Sequence, residues 1–425
     1  MLISELQSLH SSAELADLLH RSAANGRGTG RLSLGVIVRG QRFVAGLDGG
    51  SAAAGNRDEA ILLGCLMKVL TATLVMRVAG TPDEWQACEV SEVLLDKHHE
   101  SRAQLRGIKL GHLLNHTHGL DDSLVWKLPR ASDGSIDSDA LCTMLTANPP
   151  ISEPGNLQSY GCAGAWLWAA ILERKTRLNY AQLLFQHLLD PLKLGSIRLD
   201  GGAVCPAGSP AGAEQPLSMV VDDLLRFLEW HMQAGELDVM RQNPHPLPGW
   251  AAGERGVCQG WKHLGDGWYG HNSVLPNYSS FIRIHPASQI GIVFGGARTQ
   301  AFATFARLFA RALPEFTDLL PPRDKMDGRA HSPALNAYEG LYKTGALQIA
   351  VTHTTDDSLT YRATWRTAPA HSSDLEPVAL RAMNQGVLFP KRNSALDMPF
   401  LQFLHARPDG KFEYLWNGKC LWRRH

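Results

Sequence analysis

The feature that most constrains this chain is an apolar run, Leu62–Met76, that contains a single lysine. The run reads LLGCLMKVLTATLVM, and its length and hydrophobicity predict a buried helix. Cys65 and Lys68 are three residues apart, so on a helix they lie on the same face. A lysine in such a position is costly unless it is paired. The thiol and the amine therefore form a candidate reactive pair.

This pair has two chemical interpretations. If burial lowers the pKa of Lys68 enough to give a neutral amine, the amine can act as a general base for the thiol of Cys65. If the lysine stays charged, its field favours the thiolate. Either state activates sulfur as a nucleophile. The alternative without chemistry is a core cysteine beside a lysine whose charged end reaches solvent.

The composition excludes several function classes. The chain has 425 residues, 44% of them hydrophobic and 19% charged, which is enough for a large core and a small second one. Its 41 basic and 41 acidic side chains balance, so we expect no nucleic-acid partner. Lys68 and Arg77 interrupt the longest apolar runs, and the first residues do not resemble a secretory signal. We expect a cytoplasmic protein without a membrane span.

The cysteines and histidines give no metal-binding pattern. Seven cysteines occur without any C-x-x-C spacing, which argues against a disulfide framework and against a zinc finger. His98 with His99, and His116 with His118, have spacings that suit metal ligands. We expect the first pair to be solvated and the second to be structural. The sequence therefore predicts no metal and no cofactor.

The order of the predicted elements indicates an α+β fold. A β-hairpin, Leu32 to Gly46, precedes the helix of Cys65, and helices dominate the middle of the chain. Strands return between Tyr269 and Phe294, and a helix follows them. Strands at both ends with helices between them predict one sheet that joins distant segments.

A second domain is predicted at the end of the chain. Residues 321–334 are polar and rich in proline, which is typical of a linker. This linker divides a main domain, residues 1–320, from residues 335–425. The later segment alternates polar and apolar residues in several short runs, which predicts a small antiparallel β domain of barrel type.

Four segments occur in an order that has a known counterpart. They are LLGCLMKVLTATLV around Cys65, LGHLLNHTHGL at 110–120, EPGNLQSYGCAGAW with Tyr160, and YGHNSVLPNYSSF with His271. They resemble the S-x-x-K, HTSGL, Y-x-N and H-x-G motifs of the serine β-lactamase and penicillin-binding protein superfamily, in particular its class C β-lactamase and esterase branch. The resemblance extends over residues 30–312 and puts Cys65 where the family has its nucleophilic serine.

The resemblance implies both a fold and a set of roles. The fold would be a β-lactamase/transpeptidase-like antiparallel sheet flanked by helices, with an all-helical subdomain. Cys65 would attack an acyl carbonyl, and Lys68 and Tyr160 would share proton transfer. His271 would polarise the substrate or orient the tyrosine. The oxyanion hole would consist of the backbone N–H groups of Cys65 and Val274.

The same resemblance identifies residues that would contact the substrate. One side of the cleft would come from the Y-x-N segment and the other from the H-x-G strand. A tryptophan before that strand could line an apolar acyl pocket, together with Trp261. The expected substrate-binding residues are Cys162, Trp268, Asn272, Ser273 and Val274.

Three positions depart from the family pattern. Cys65 replaces serine, Cys162 replaces the asparagine of Y-x-N, and Ser273 replaces the glycine of H-x-G. Cysteine is a better nucleophile than serine and also a better leaving group, so its attack on a thioester is a near-isoenergetic exchange. The lost asparagine would normally hold the amide of a substrate. We therefore expect transfer of an acyl group from an ester- or thioester-activated donor, such as a carrier-protein or coenzyme A thioester, to an acceptor.

Other functions stay open at this point. The chain could be an esterase- or thioesterase-type hydrolase of the same family, or a catalytically degenerate binding protein on the same fold. The presence of Lys68 and Tyr160 favours catalysis. Cys65 and Cys162 could also form a disulfide, or a soft metal site with His271, although the charge of Lys68 would repel a cation.

Overall fold

The structure is a computed structural model that describes a defined part of the chain. The predicted linker, residues 321–334, lies outside this part, as does His98, so the domain boundaries stay a prediction. The described residues are 2–23, 30–96, 99–125, 128, 136–197, 217–233, 235–247, 254–310, 335–354, 359–366, 377–382, 387–390 and 401–425.

Helices occupy mainly the first three quarters of the chain. The α-helices are α1 (Leu2–Gln7), α2 (Ser12–Ser22), α3 (Met67–Ala79), α4 (Pro82–Trp85), α5 (Val90–Leu94), α6 (Gly111–Leu114), α7 (Ser138–Thr146), α8 (Ala163–Thr176), α9 (Tyr180–Leu184), α10 (Val221–Met232) and α11 (Arg298–Ala310). A π-helical turn, Phe185–Leu189, continues α9. Short 3₁₀ turns lie at Gly64–Leu66, Glu100–Arg102, Glu236–Arg241, Pro286–Ser288 and Leu335–Ala337. Within the described ranges, no helix combines the length and the apolar character that a bilayer crossing requires.

The main sheet joins the two ends of the first domain. The strands of this part of the chain are β1 (Leu32–Val38), β2 (Gln41–Asp48), β3 (Ser51–Ala54), β4 (Ala60–Leu62), β5 (Ser218–Val220), β6 (His245–Pro246), β7 (Gly256–Val257), β8 (Lys262–Gly265), β9 (Trp268–Val274), β10 (Tyr278–His285) and β11 (Ile290–Ala297). Of these, β4 and β5 form a separate two-stranded sheet, and the others form the main sheet. Among the described residues the order in the main sheet is β3-β2-β1-β11-β10-β9-β8-β7-β6. All paired strands are antiparallel, and Val36 of β1 lies opposite Ile292 of β11. The predicted α+β sheet is thus confirmed.

Both faces of this sheet are covered. The strand β1 reads LSLGVIV and is buried along its whole length, as expected where helices pack on both sides. One core contains side chains of α2 and α11, and the other contains those of α3, α8 and α10. The helix α3 is apolar around its circumference and is buried from Met67 to Met76. It therefore runs through the centre of the domain and carries Lys68 inside it.

The end of the chain forms a closed antiparallel barrel. Its strands are β12 (Gly340–Lys343), β13 (Leu347–His353), β14 (Leu359–Trp365), β15 (Val378–Ala382), β16 (Val387–Pro390), β17 (Leu401–Ala406), β18 (Phe412–Trp416) and β19 (Leu421–Arg424). The first strand pairs with the last, with Tyr342 opposite Arg424, which closes the ring. Alternate residues fill its interior, for example Ile349 and Val351. The predicted small β domain is confirmed.

The barrel docks on the loops that precede α8. The carboxylate of Asp121 accepts a hydrogen bond from the backbone N–H of Gly345. The hydroxyl of Ser123 accepts another from Ala346 at 3.0 Å. Further along, the hydroxyl of Ser159 accepts the N–H of Leu421 at 3.2 Å. These contacts bring the last hairpin of the barrel beside Tyr160.

Candidate active site

Cys65 lies at the tight turn where the chain enters α3. The 3₁₀ turn Gly64–Leu66 precedes the helix, and the thiol is half-buried. Gly64 has φ +43°, a left-handed conformation that glycine adopts without strain. A Cβ atom at this position would lie 2.2 Å from the Ser273 hydroxyl oxygen. The turn therefore requires glycine directly before the cysteine.

Lys68 lies one helical turn after Cys65 and is 3% exposed. Its Nζ atom lies 4.7 Å from the centre of the Tyr160 ring. Burial lowers the pKa of Lys68, but the negative charge that Cys162, Cys65 and Tyr160 can carry raises it more. The net result is a pKa well above the ordinary value. Of the two interpretations of this lysine, the structure favours the charged ammonium.

The thiol of Cys65 responds to the same charges. Burial raises its pKa, whereas Lys68, the Tyr160 hydroxyl and, more weakly, Lys419 and Lys262 lower it. The lowering effects outweigh burial, so the pKa of the thiol lies below its ordinary value of 9.0. Cys65 and Lys68 therefore tend toward a thiolate–ammonium pair.

Tyr160 comes shortly before α8, and its hydroxyl is buried. Within the described ranges this hydroxyl meets no partner at ordinary hydrogen-bond geometry, yet it is close enough to Cys65 to lower the pKa of the thiol. Burial and the charge of the Cys65 thiolate raise the pKa of Tyr160 well above its ordinary value, and the opposing effect of Lys68 does not compensate. The phenol therefore holds its proton at neutral pH.

The barrel holds the backbone of Tyr160. Its N–H donates to the carbonyl of Lys419 at 2.7 Å, and its carbonyl accepts from the Cys420 thiol at 3.6 Å. Both partners belong to the Asn417–Cys420 connection between β18 and β19. The sequence analysis did not identify Lys419, because no motif links it to a segment more than 250 residues earlier.

Lys262 on β8 also faces the tyrosine. Its Nζ atom lies 5.7 Å from the centre of the Tyr160 ring and 2.5 Å from a carboxylate oxygen of Glu254. Burial lowers the pKa of Lys262, and the ion pair with Glu254 only partly offsets this. The sequence did not predict this lysine either, because the stretch QGWKHLGDGW indicated only its tryptophans as candidates.

Two histidine rings surround the tyrosine. The ring of His271, on β9, lies 5.9 Å from that of Tyr160, and its Nδ1 atom lies 2.9 Å from the carbonyl oxygen of Asn272. The ring of His116 is closer, at 4.7 Å. Burial is the largest cause that lowers the pKa of both histidines well below the ordinary value, so both are neutral. His116, expected to be merely structural, therefore contacts the site directly.

The alternation of side chains along β9 separates the predicted residues into two groups. His271 and Ser273 face the turn of Cys65, whereas Asn272 and Val274 face the other side of the sheet. Only the backbone of Asn272 and Val274 is directed to the site. The strand thus supports two of the four predicted side chains as neighbours of Cys65.

The prediction that Trp268 lines an acyl pocket is wrong. This side chain is 1% exposed and lies on the face of β9 opposite the site, where it packs edge-to-face against Phe309 of α11 at 5.0 Å. Trp261 is also a core residue and contacts the ring of His231.

The sequence predicts an oxyanion hole built from the backbone N–H groups of Cys65 and Val274. The N–H of Cys65 donates to the Ser273 hydroxyl oxygen at 3.1 Å. The N–H of Leu275 donates to Tyr278 on the β10 side at 2.8 Å. Because successive N–H groups of a strand point to opposite edges, the N–H of Val274 points away from β10. In the described structure β8 pairs only with Trp268–Gly270, so no described strand pairs with Val274 on that side.

Cys162 lies at the N-terminus of α8, half-buried. Its N–H and that of Ala163, the latter at 2.8 Å, both donate to the Asp122 carboxylate, which caps the helix. Cys65 and Cys162 are both free thiols, so no disulfide joins them. Among the described residues, no group of three or more His, Cys, Asp or Glu side chains could hold a metal ion.

Comparisons with known proteins agree with this architecture. Among solved structures, SurE bound to D-Leu has a TM-score of 0.71 and 20% identity, over 97% of this chain and 98% of its own. The octameric penicillin-binding protein homologue from Pyrococcus abyssi has a TM-score of 0.54 and 17% identity, over 93% of this chain and 96% of its own. The D-amino acid amidase from Ochrobactrum anthropi SV3 in complex with D-phenylalanine has a TM-score of 0.55 and 15% identity, over 72% of this chain and 100% of its own.

No curated protein matches the sequence at a significant level. The profile of the beta-lactamase family, by contrast, matches residues 19–311, which is more than half of the chain. This match agrees with the resemblance of the four ordered motifs to the same family. The chain belongs to the beta-lactamase family.

Proposed function

We propose that this protein is an acyltransferase that uses Cys65 as its nucleophile and takes the acyl group from an ester- or thioester-activated donor. The observation that carries the proposal is the set of positive charges around the thiol. Lys68, Lys262 and Lys419 come from three distant segments, and all lower the pKa of Cys65. A thiolate that exists before the substrate binds can attack a carbonyl without a general base.

The first half of the reaction forms a thioester on the protein. The Cys65 sulfur bonds to the acyl carbon, and the carbonyl π pair moves onto oxygen. The N–H groups of Cys65 and Val274 stabilise that oxyanion. When the intermediate collapses, the bond to the donor's sulfur or oxygen breaks, and the leaving group takes a proton from Tyr160. The protonated phenol thus acts as an acid in this step.

The second half returns the protein to its starting state. An amine, alcohol or water molecule attacks the acyl carbon and gives its proton to the Tyr160 phenolate. The carbon–sulfur bond breaks, and Cys65 leaves as a thiolate that Lys68 stabilises. The neutral His116 and His271 border the tyrosine without adding positive charge, so the positive field comes from the lysines.

The leaving-group character of a cysteine thiolate limits the class of donor. A thiolate is a good leaving group, so an intermediate formed from an amide expels the thiolate more readily than the amine. A thioester donor has a leaving group similar to Cys65 itself, and the exchange then proceeds in either direction. This chemistry supports a carrier-protein or coenzyme A thioester, or a small mimic of one, as the donor.

The comparisons suggest which acyl groups to test. The SurE structure contains D-Leu, and the Ochrobactrum enzyme is a D-amino acid amidase in complex with D-phenylalanine. We therefore include D-aminoacyl donors beside their L enantiomers. The described cysteines are free thiols, which suits the reducing cytoplasm that we propose as the location.

The proposal is tested with N-acetylcysteamine thioesters of D- and L-amino acids, in the presence and absence of an amine acceptor. Thiol release and acyl product are measured for the wild type, Cys65→Ala, Cys65→Ser and the control Cys142→Ala, which changes a buried cysteine of α7. We expect Cys65→Ala to abolish turnover and Cys142→Ala to retain it. Full activity of Cys65→Ala would contradict the proposal. Product that forms only with water would identify a thioesterase instead of a transferase.

A further inference from the structure

The Ser273 hydroxyl oxygen accepts a hydrogen bond from a backbone N–H that the proposed reaction needs for the substrate. Its oxygen accepts the backbone N–H of Cys65 at 3.1 Å, and the side chain is 1% exposed. In the proposed reaction this N–H binds the oxyanion of the substrate. A side chain of the protein therefore accepts the hydrogen bond that the proposed reaction assigns to the substrate oxygen.

The surroundings hold the hydroxyl at this position. A Cβ atom on Gly64 would lie 2.2 Å from the Ser273 oxygen, which shows how closely the oxygen packs on the turn. Behind Ser273, the hydroxyl of Ser280 donates to the carbonyl of Leu62 at 2.7 Å and ties β10 to the strand that leads into the turn. The contact between the two segments is therefore part of the packing of the site.

Only one of the two oxyanion donors is blocked. Among the described strands, none pairs with the Val274 N–H on the side away from β10, whereas the N–H of Cys65 is satisfied by Ser273. In the proposed reaction, a substrate oxygen that binds the Val274 N–H gains the second hydrogen bond only after the Ser273 side chain has turned about its Cα–Cβ bond. Substrates that depend strongly on both donors are therefore at a disadvantage.

We propose that Ser273 determines substrate specificity by filling half of the oxyanion hole with its own hydroxyl oxygen, which favours reactive acyl donors such as thioesters. The chemical meaning of this inference rests on the proposed acyl transfer through Cys65. The stabilisation of the transition state by an oxyanion hole grows with the negative charge that develops on oxygen. An oxoester, whose carbonyl is less reactive, therefore loses more rate than a thioester when one donor is occupied.

The first test measures the hole without turnover. Trifluoroacetophenone forms a reversible adduct in which the Cys65 sulfur bonds to the ketone carbon and the carbonyl π pair becomes an oxyanion. Its dissociation constant is obtained from the protection of Cys65 against iodoacetamide. We expect Ser273→Gly and Ser273→Ala to bind the ketone about tenfold more tightly than the wild type, because one hydrogen bond no longer has to be broken.

A control variant separates this effect from a general loss of packing around β10. Ser279→Ala removes a buried hydroxyl on the opposite face of the sheet and should have no effect. Unchanged or weaker binding in Ser273→Ala would overturn the inference, as would the absence of any ketone adduct in Ser273→Gly.

The second test measures specificity. The rate of acylation of Cys65 is compared for an oxoester and a thioester with the same acyl group. We expect Ser273→Gly to increase the oxoester rate about tenfold relative to the thioester rate. An unchanged ratio would overturn the inference while the acylation itself upholds the proposed function. If the ketone binds as expected but no donor acylates Cys65 in any variant, the proposed function fails and the self-occupied hole stands.

Discussion

The backbone N–H of Tyr160 donates to the carbonyl oxygen of Lys419 at 2.7 Å, which joins a residue beside α8 to the last hairpin of the barrel. Cys420, next in that hairpin, contacts the carbonyl of the same tyrosine. The phenol that we propose as the proton donor is thus held by the second domain, although its ring lies in the first. The barrel also brings the charge of Lys419 close to Cys65, so it contributes to the site itself.

The charge of Lys68 should control the reactivity of the thiol. Lys68 lowers the pKa of Cys65, so Lys68→Met should raise that pKa and reduce the thiolate fraction at neutral pH. Alkylation by iodoacetamide at pH 7 should slow about tenfold for each unit by which the pKa rises. The pH profile of alkylation measures this, with Lys175→Met on the exposed end of α8 as the control. An unchanged profile in Lys68→Met would contradict the ion pair.

Loss of the Tyr160 hydroxyl should reduce the turnover rate more than it reduces the reactivity of the Cys65 thiolate. Tyr160→Phe removes the proton donor, and general acid catalysis typically contributes about a hundredfold or more, so turnover should fall by that factor. At a pH where the thiol is fully ionised, alkylation of Cys65 should stay close to the wild-type rate. Steady-state rates and alkylation rates distinguish the two effects. Equal losses in both would mean that the hydroxyl acts through the reactivity of Cys65 and not as a proton donor.

Asp121 should couple the barrel to catalysis. Its carboxylate accepts hydrogen bonds from Gly345 and from the hydroxyl of Ser123, and it is 6% exposed. Asp121→Ala should reduce the free energy of unfolding by about 2 kcal/mol, because a buried donor of the barrel loses its partner. Turnover should also fall, since the docking of the barrel holds Tyr160. Denaturant unfolding and kinetics check this, with the exposed Asp48→Ala as control; wild-type turnover in a destabilised Asp121→Ala would argue against the coupling.

Gly64 and Ser273 should be energetically coupled. Gly64→Ala places a methyl group on a left-handed residue and against the Ser273 oxygen, so we expect a loss of about 2 kcal/mol in unfolding free energy. The Leu275 side chain, 3.1 Å from the new atom, would still be close in the double variant. Ser273→Gly should therefore recover about 1 kcal/mol of the loss, leaving the backbone cost. A double-mutant cycle with purely additive energies would contradict the contact.

The sequence could predict the parts of the site that lie in short motifs. Cys65 and Lys68 are neighbours because helical spacing brings them together, and the ordered motifs place Tyr160 and His271 beside them. The error at Trp268 was avoidable. In a strand, residues three apart lie on opposite faces, so Trp268 cannot share a face with His271.

Other features depend on tertiary contacts that have no local pattern. Lys262 approaches Tyr160 from strand β8 and Lys419 from the last hairpin of the barrel, and neither lies in a recognisable motif. The contact between Ser273 and the N–H of Cys65 depends on how a strand packs against a turn 208 residues earlier in the chain. The sequence shows serine where the family motif has glycine, but it does not show that this hydroxyl accepts the N–H of Cys65.

The most direct test of the account is intact-protein mass spectrometry after mixing with aminoacyl N-acetylcysteamine thioesters, followed by peptide mapping. We predict a mass increase of one acyl group that maps to Cys65, is absent in Cys65→Ala, persists in Cys162→Ala and disappears when an amine acceptor is added. An acyl group that maps to Cys162 would contradict the account. So would the absence of any adduct together with a Cys65 thiol that reacts with iodoacetamide only as fast as a free cysteine.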